Sequence, residues 1–510
     1  MPRIHALIAL ALFAPALAHA ATGPSNAACN ARRNDTLPRL LACVQEPFLW
    51  QHLVKFQAIA DANPGADGHG NRNTGTQGYL DSATYVANLM TKAGYHVTIQ
   101  AYPWRQQAVT GAPSFGTATQ RFILGRDWFP ARQTGAGRLT APVAAIAGHG
   151  GCDTADFIGF APGHIALMEQ AACGMEAQIA NATAARAGAV IIASSAATPI
   201  IARFARTDGA AYPARLTAPA TIPVIATASH AVSAALRHAA ANAAALLVHI
   251  DMQTQTISGT DYNVIADSPY GDPSKIVAVD AHLDAIYGAG MLDNASGSAT
   301  ILEIALKLAH TKTVNQLRFI WFGGEELGLL GSAYYTTHLA PAELANIVFD
   351  LDVDVTATPN FDVLIADPGH APNVNKFPPN VVPASQVGNG YFTTAFTNAG
   401  IASRIAGFGN EGTDSNSFSL VGVPNTGILT NQDCCKSARE VKIWGGFLGN
   451  YEGQVPGTNG GCVDQPRRWC DNLSNNDPFV LEFVSRATAS VAFSLANDTT
   501  LAAARRAGTR

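Results

Sequence analysis

Apolar and polar residues recur with two different periods along the chain, and each period predicts one type of element. Between residues 79 and 93 the apolar residues are spaced as on one face of a helix, and Gly94 follows as a stop signal. Residues 96–102 are rich in β-forming side chains and predict a strand. Strands that alternate with helices indicate an α/β fold.

The same alternation continues in the second half of the chain. Strands are predicted at residues 275–281, 316–322 and 347–351, an amphipathic helix around residues 301–308, and a long helix from residue 478 to about residue 496. Asp477 and Pro478 are typical of the N-cap and the first turn of that long helix. We expect the basic tail, residues 502–510, to be frayed.

The region between residues 120 and 250 has a different composition. Alanine and glycine dominate it, acidic residues are sparse, and its apolar runs are short. These features predict a small domain inserted into the first one, and the alternative is a continuation of the main domain. The runs at residues 163–167, 184–192 and 222–224 resemble a protease-associated (PA) domain, which implies a small β-rich unit.

Length and charge narrow the class of protein. A chain of 510 residues favours two domains, or one domain with a large insertion. With 48% hydrophobic and 14% charged residues, the composition is that of a globular protein. The formal net charge of -5 gives no basic field that would attract nucleic acid or an anionic membrane, so neither is an expected partner.

The first 20 residues have the features of an export signal. Arg3 supplies a positive start, residues 6–17 are apolar, and residues 18–20 form a small-x-small cleavage site. The alternative is a buried first helix. No later stretch is predicted to span a bilayer. We therefore expect a soluble protein that is secreted or periplasmic.

The eight cysteines fit an oxidising compartment, and disulfides outrank cysteine metal sites because no pair has zinc-finger spacing. The pairs close in sequence are Cys29 with Cys43, Cys152 with Cys173, and Cys462 with Cys470, while Cys434 and Cys435 are adjacent. The sequence leaves the connectivity open.

Acidic and imidazole side chains stand at the carboxyl ends of the predicted strands. The first strand ends at Asp280, His282 and Asp284, the second at Glu325 and Glu326, and the third at Asp350 and Asp352. Ligands bind at this edge of an open α/β sheet, so the three strand ends indicate one shared crevice. Asp293, in a glycine-rich loop after His282, could reach the same crevice.

Each of these residues also has a plainer explanation when taken alone. Asp280, Asp284 and Asp350 could be turn residues. The Glu325–Glu326 pair could be a solvated first turn of a helix, where acids favour the dipole. His282 alone would more often be a core histidine than a ligand. The repetition of acids and histidine at the ends of strongly apolar strands favours a functional site.

These residue types suit metal-dependent hydrolysis. Zinc binds imidazole nitrogen and carboxylate oxygen at about 2.0–2.2 Å. Two divalent ions can share a carboxylate and a hydroxide. A further carboxylate must take the water's proton and deliver it to the leaving amine. Of the adjacent Glu325 and Glu326, one would bind metal and the other would act as the base.

Several ordered motifs closely resemble the M28 family of cocatalytic zinc aminopeptidases. They are residues 281–284 (AHLD), 292–297 (LDNASG), 319–328 (FIWFGGEELG), 351–352 (LD), 413–418 (TDSNSF) and 470–475 (CDNLSN). The resemblance covers roughly residues 75–105 and 260–495. It implies a mixed central sheet with helices on both faces.

The implied domain organisation is a signal peptide, a discontinuous peptidase domain and an inserted domain. These would occupy residues 1–20, residues 21–120 with 250–500, and residues 120–250, followed by a tail at residues 501–510.

The resemblance also implies a site with two Zn²⁺ ions. His282 would bind one ion, Glu326 and Asp352 the other, and Asp293 would bridge the two. Glu325 would be the general base. Asp284 would orient His282 without binding metal itself, which is a common arrangement at metal sites.

The sequence departs from the family pattern at one ligand. The family places a second histidine ligand in a disulfide loop just before the Cys-Asp-Asn run, but this chain has no histidine after His370. The corresponding loop runs from Cys462 to Cys470, and Asp464 stands where the family has histidine. We hypothesise that Asp464 replaces the imidazole as a zinc ligand. The alternative is an Asp464 that faces solvent beside an incomplete site.

The replacement changes the charge of the site. A fourth carboxylate would make the two-ion site net negative and weaken its effect on a bound water. Val463 occupies the place of a carbonyl-polarising tyrosine, and losing one such donor costs about 10²-fold or more in rate. A weak or unusual enzyme is therefore one expectation.

Three functions fit these observations. The leading interpretation is a secreted aminopeptidase that hydrolyses N-terminal residues from peptides. A carboxypeptidase of the same family would need arginines for the substrate carboxylate, and Arg404, Arg467 and Arg468 are candidates. A non-catalytic binding protein on a peptidase scaffold would explain the missing histidine, but the intact Glu325–Glu326 pair argues against it.

Overall fold

The structure is a computed structural model, and its described part is discontinuous. It describes residues 23–65, 68–124, 127–131, 133–169, 171, 173–193, 219–227, 230–241, 246–286, 288–371, 373–408, 412–432, 436–449, 451–452 and 471–507. The expected export signal, Asp464 and the cysteines at positions 434, 435, 462 and 470 lie outside these residues.

Helices flank the sheet along the whole described chain. They are α1 (Asn26–Ala31), α2 (Leu37–Leu41), α3 (Glu46–Ala62), α4 (Gln77–Lys92), α5 (Met175–Ala184), α6 (His230–Ala241), α7 (Ser296–Leu308), α8 (Leu330–His338), α9 (Pro341–Asn346), α10 (Val381–Asn398), α11 (Ser415–Leu420), α12 (Ala438–Trp444), α13 (Pro478–Asn497) and α14 (Leu501–Ala507).

The strands of the described chain form one mixed sheet. They are β1 (His96–Thr117), β2 (Trp128–Pro130), β3 (Gly137–Ala145), β4 (Ile165–Glu169), β5 (Ala189–Ala193), β6 (Val224–Thr227), β7 (Leu247–Asp267), β8 (Asp272–His282), β9 (Asn315–Phe322), β10 (Ile347–Val353), β11 (Leu364–Ala366), β12 (Arg404–Ala406) and β13 (Asn425–Leu429). Their order is β12-β11-β13-β10-β8-β9-β7-β3-β4-β5-β6-β2, and β1 pairs with β7.

The first part of this sheet is the centre of the molecule. Strands β13, β10, β8 and β9 are mutually parallel, whereas β7 and β11 run antiparallel to their neighbours β9 and β13. The main apolar core packs helices α3, α4, α7, α10 and α13 against it, and a smaller cluster around Phe322 and Phe418 covers the other face. The predicted mixed sheet with helices on both faces is confirmed.

A second apolar core belongs to the inserted region. Strands β3, β4 and β5 pair in parallel, and their inward side chains form clusters separate from the main core. The long strand β7 joins the two parts, because residues 247–252 pair with β3 and residues 264–267 pair with β9. The inserted unit is therefore attached through a continuous β ribbon.

Local chemistry explains the ends of the predicted helices. The Thr76 hydroxyl accepts a hydrogen bond from the Tyr79 N–H at 3.4 Å where α4 begins, and Gly94 after its end has a φ of +91°. The Asp477 carboxylate accepts from the N–H groups of Phe479 and Val480 at 2.9 and 3.0 Å. Such a cap stabilises a helix by about 1 kcal/mol.

Two of the three near-sequence cysteine pairs are disulfides in the structure. Cys29 bonds Cys43, and Cys152 bonds Cys173. The first closes a loop of sequence separation 14. In the chain-entropy account, a loop of this size contributes about 3 kcal/mol of stability. These bonds fit a protein that folds in an oxidising compartment.

The expectation of a frayed C-terminal tail was wrong for the residues that the structure describes. The tail is helical as far as Ala507, because Leu501 is buried and the Arg505 guanidinium donates to the Leu344 carbonyl at 2.7 Å.

Helix α13 is long and apolar enough to cross a bilayer by length and composition. It packs in the main core and is mostly buried, as expected for a core helix of a globular protein.

Candidate metal centre

The imidazole of His282 is the centre of a buried cluster at the carboxyl ends of the parallel strands. Its Nε2 lies 3.1 Å from Asp293 Oδ1 and 3.3 Å from Asp354 Oδ1. Its Nδ1 lies 3.0 Å from the backbone carbonyl oxygen of Asp284. Because that carbonyl can only accept, Nδ1 carries the proton and Nε2 faces the two carboxylates.

The charges around His282 favour a cation. Burial by itself lowers the pKa of the imidazole, but the carboxylates of Asp354, Asp284 and Asp293 outweigh it and raise the pKa well above its usual range. The carboxyl pKa of Asp354 is also raised, chiefly by burial, although the nearby His282 opposes the shift. A proton or a metal ion between these groups relieves the repulsion of the two carboxylates.

Asp293 reaches the cluster from an irregular turn before α7. Residues Met291–Ala295 form one π-helical turn, in which Asp293 and Asn294 have non-helical backbone angles and are joined by a cis peptide bond. The carboxylate of Asp471 accepts hydrogen bonds from the N–H groups of Leu292 at 2.8 Å and Asp293 at 3.1 Å. Asp471 therefore fixes the turn that presents Asp293, a function that the sequence analysis missed although it singled out residues 470–475.

Glu325 and Glu326 lie on the turn that follows β9, beside His282. In the sheet register, Phe322 at the end of β9 is paired with His282. The turn needs its two glycines, because a Cβ at Gly323 would collide with the hydroxyls of Tyr79 and Tyr102, and Gly324 has a φ of +66°. Both glutamates are buried, with 8% and 5% of their surface exposed. The interpretation of this pair as a solvated helical turn is therefore wrong.

Asp284 connects the two halves of the site. Its carboxylate accepts from the N–H groups of Glu325 at 3.2 Å and Glu326 at 3.4 Å. The same carboxylate lies 3.6 Å from His282 Nδ1, so the closer contact of His282 is with the Asp284 backbone carbonyl. Asp284 thus orients His282 mainly through its main chain, and its side chain holds the glutamate turn.

The structure brings Asp354, and not Asp352, beside His282. Asp352 pairs with Asp280 in the register of β10 and β8, and its Oδ2 accepts from the Ser415 N–H at 3.0 Å. Asp354 follows Asp352 by two residues, as His282 follows Asp280, and the side chains of Asp354 and His282 meet at 3.3 Å. Burial and the charge of Asp354 raise the pKa of Asp352 to about 7. Asp354 is therefore the aspartate that the structure brings into the cluster around His282, and the assignment of Asp352 as a ligand stays a prediction.

A sequence signal for Asp354 existed. Asp350, Asp352 and Asp354 alternate, so a strand directs all three to one face, and only the last lies beyond the end of β10 at Val353. Asp280 and Asp350 are fully buried inside their strands. Their interpretation as turn residues at the strand ends is therefore wrong, and burial raises both carboxyl pKa values well above the usual range.

The donor set fits a zinc ion. One donor atom each from His282, Asp293 and Asp354 lies within 4.8 Å of the others. Ligands held at about 2.0–2.2 Å around one ion are separated by roughly 3–4 Å, which matches the observed spacings. The group combines one imidazole with carboxylates, as zinc sites in hydrolases do.

Comparisons with known proteins agree with the fold and with the family resemblance. The family description Peptidase family M28 matches residues 263–450, and the description PA domain matches residues 139–236. The curated Aminopeptidase of Pseudomonas aeruginosa (strain UCBPP-PA14) is 31% identical over 475 residues, which cover 89% of this chain and 81% of that protein.

Solved structures show the same fold at lower identity. The Aminopeptidase from Aneurinibacillus sp. strain AM-1 has a TM-score of 0.67 at 18% identity, covering 91% of this chain and 96% of that one. BSAP, a zinc aminopeptidase from Bacillus subtilis, has a TM-score of 0.59 at 20% identity, covering 89% and 96%.

The fold and the cluster around His282 define an α/β protein with a candidate carboxylate–imidazole metal centre at the carboxyl edge of its sheet. Within that class, the chain belongs to peptidase family M28 and carries a PA domain.

Proposed function

We propose that this protein is a zinc-dependent aminopeptidase that removes N-terminal residues from peptides. The observation that carries the proposal is the convergence of His282, Asp293 and Asp354 on one point, with Glu325 on the neighbouring turn. Membership of peptidase family M28 and the similarity to a curated Aminopeptidase support the same activity.

His282 and Asp354 would hold metal on one side of the cluster, with Asp293 between the two ions and Glu326 on the other side. Bound zinc would polarise the scissile carbonyl and lower the pKa of a bound water toward neutrality. This placement follows the contacts of His282 Nε2, which lies within 3.3 Å of both aspartates. The proposal differs from the expectation for Asp352, which bonds the Ser415 N–H instead.

Glu325 would act as the general base. It would take a proton from the attacking water and deliver it to the leaving amine, a function that requires a carboxylate without a metal bond. Its backbone is held by Asp284, so its side chain starts from a fixed point close to His282. Burial of the turn favours proton transfer between protein groups over exchange with solvent.

Two ions per chain, rather than one, is part of the proposal. The second ion would need Glu326 and the hypothesised ligand Asp464. Asp464 would contribute a carboxylate where the family has imidazole, so the site would be more acidic than usual and its activity weaker. Secretion or export to the periplasm is proposed on the N-terminal signal pattern and is supported by the two disulfides.

The test is chromophore release from a panel of aminoacyl p-nitroanilides by the purified full chain. We expect release that is abolished by a chelator, restored by zinc, and blocked when the substrate amine is acetylated. Metal analysis should find about two zinc ions per chain. Cleavage only of substrates with a free carboxylate would favour the carboxypeptidase, and no cleavage of any peptide by zinc-replete protein would favour the binding protein.

A further inference from the structure

A short segment before α4 is bonded to both loops that form the site. Arg72 is fully buried, and its guanidinium donates to the backbone carbonyls of Leu283 at 2.6 Å, Ala289 at 2.8 Å and Gly290 at 3.1 Å. These carbonyls belong to the loop that follows His282. The segment lies outside the part of the chain that the family description matches, residues 263–450.

Two residues later, Thr74 bridges that loop to the glutamate turn. Its hydroxyl donates to Asp284 Oδ2 at 2.8 Å and accepts from the Gly324 N–H at 3.0 Å. A hydroxyl has one proton to donate and lone pairs to accept, so both bonds can exist together. Thr74 therefore links Asp284, which contacts His282, to Gly324, which precedes Glu325.

Side chains from other segments accept hydrogen bonds from the backbone N–H groups of residues 323–326, the first part of this turn. The N–H of Gly323 donates to Asn263 Oδ1 at 3.2 Å, that of Gly324 donates to Thr74, and those of Glu325 and Glu326 donate to Asp284. The position of the turn relative to His282 thus depends on a few side-chain acceptors. Of these, Thr74 is the one that contacts both the turn and Asp284.

We propose that Thr74 is a positioning residue for the reaction, whose hydroxyl sets the place of the Glu325 carboxylate relative to the metal ligands. This inference rests on the proposed function, in which Glu325 is the base. Without the hydroxyl, the Gly324 N–H and Asp284 Oδ2 each lose a hydrogen bond to Thr74. The turn that carries Glu325 can then shift. A misplacement of about 1 Å can cost up to about 10²-fold in rate.

The experiment compares Thr74→Val, which has the same shape without the hydroxyl, with Thr74→Ser, which keeps it. Kinetics of the zinc-replete full chain on an aminoacyl p-nitroanilide, zinc content and thermal unfolding are measured for both. We expect Thr74→Val to lower kcat by roughly 10- to 100-fold with KM and zinc content nearly unchanged. Thr74→Ser should restore most of the loss. Thr394→Val, which removes an exposed hydroxyl on α10, is the matched control and should change kcat less than twofold.

Three results would overturn the inference: a kcat for Thr74→Val within twofold of the unchanged protein, an equal loss in Thr74→Ser, or a loss of zinc that parallels the loss of activity. If Thr74→Val does not fold, Thr74→Ala removes the same hydroxyl without adding bulk and carries the same expectation. An inactive unchanged protein would defeat the proposed function, whereas an active one with an equally active Thr74→Val would defeat this inference alone.

Discussion

His282 Nε2 lies 3.3 Å from Asp354 Oδ1, across the boundary between the adjacent parallel strands β8 and β10. Each residue stands two positions beyond a paired aspartate, Asp280 in β8 and Asp352 in β10. The sheet register therefore brings an imidazole and a carboxylate together at its carboxyl edge. This relationship supports Asp354, just beyond the end of β10, as a candidate metal ligand.

Replacing the Asp354 carboxylate with a neutral amide should remove the zinc from the site. We expect Asp354→Asn to lose bound zinc and at least about 10²-fold in kcat/KM, since even groups that only support ligands cost 10- to 100-fold when removed. The matched variant is Asp352→Asn, two residues earlier on the same face, which should keep its zinc. Metal analysis after dialysis and kinetics check both, and the reverse pattern would return the ligand role to Asp352.

The two adjacent glutamates should separate into a base and a ligand. Glu325→Gln should keep its zinc and lose about 10²- to 10⁴-fold in kcat, the usual contribution of general acid–base catalysis. Glu326→Gln should lose zinc as well as activity. Measured zinc content distinguishes the two, and equal metal loss in both variants would show that the assignment of Glu325 as an unligated base is mistaken.

Asp464 can be tested by removal and by reversal to the family pattern. If it is a ligand, Asp464→Ala should lower zinc content and activity together. Asp464→His should keep the zinc and shift the activity profile to lower pH, because one negative charge fewer lets a bound water ionise more readily. Unchanged metal content and activity in Asp464→Ala would contradict the ligand assignment.

Asp261 should make stability depend on pH. The carboxyl pKa of Asp261 is raised from 3.8 to about 7. Burial is the largest cause of this shift, and the hydrogen bond from the Gly75 N–H opposes it. Folding therefore favours the protonated form, so this group's contribution to stability is present below about pH 4 and is lost as the pH rises to about 7. We expect Asp261→Asn to remove this slope.

The measurement is the free energy of unfolding in denaturant for both proteins between pH 4 and 8. The stability of Asp261→Asn relative to the unchanged protein should rise by up to a few kcal/mol from pH 4 to 7 and then stay level. Parallel curves across the whole range would contradict a raised pKa at Asp261.

The sequence was sufficient for the elements and for most of the chemistry. The helix that Asp477 caps, the strands ending at His282 and Phe322, and the inserted unit with its own apolar runs all follow from periodicity, caps and composition. These features are local, because the hydrophobic periodicity of a helix or strand is visible within about a dozen residues of sequence. The motifs around His282 and Glu325 were equally visible, because each places its candidate metal-binding or catalytic residues close together in the sequence at the end of a predicted strand.

Other features depended on contacts between distant segments. Asp354 was missed because the choice between two alternating aspartates needs the register of β10 against β8. The hydrogen bond from the Asp293 N–H to the Asp471 carboxylate joins residues that are 178 positions apart. The bond from the Thr74 hydroxyl to Asp284 joins residues that are 210 positions apart. The docked tail likewise follows from Arg505 reaching Leu344. Sequence spacing carries no information on such pairs, because side chains far apart in the chain meet only when the sheet and its loops have packed.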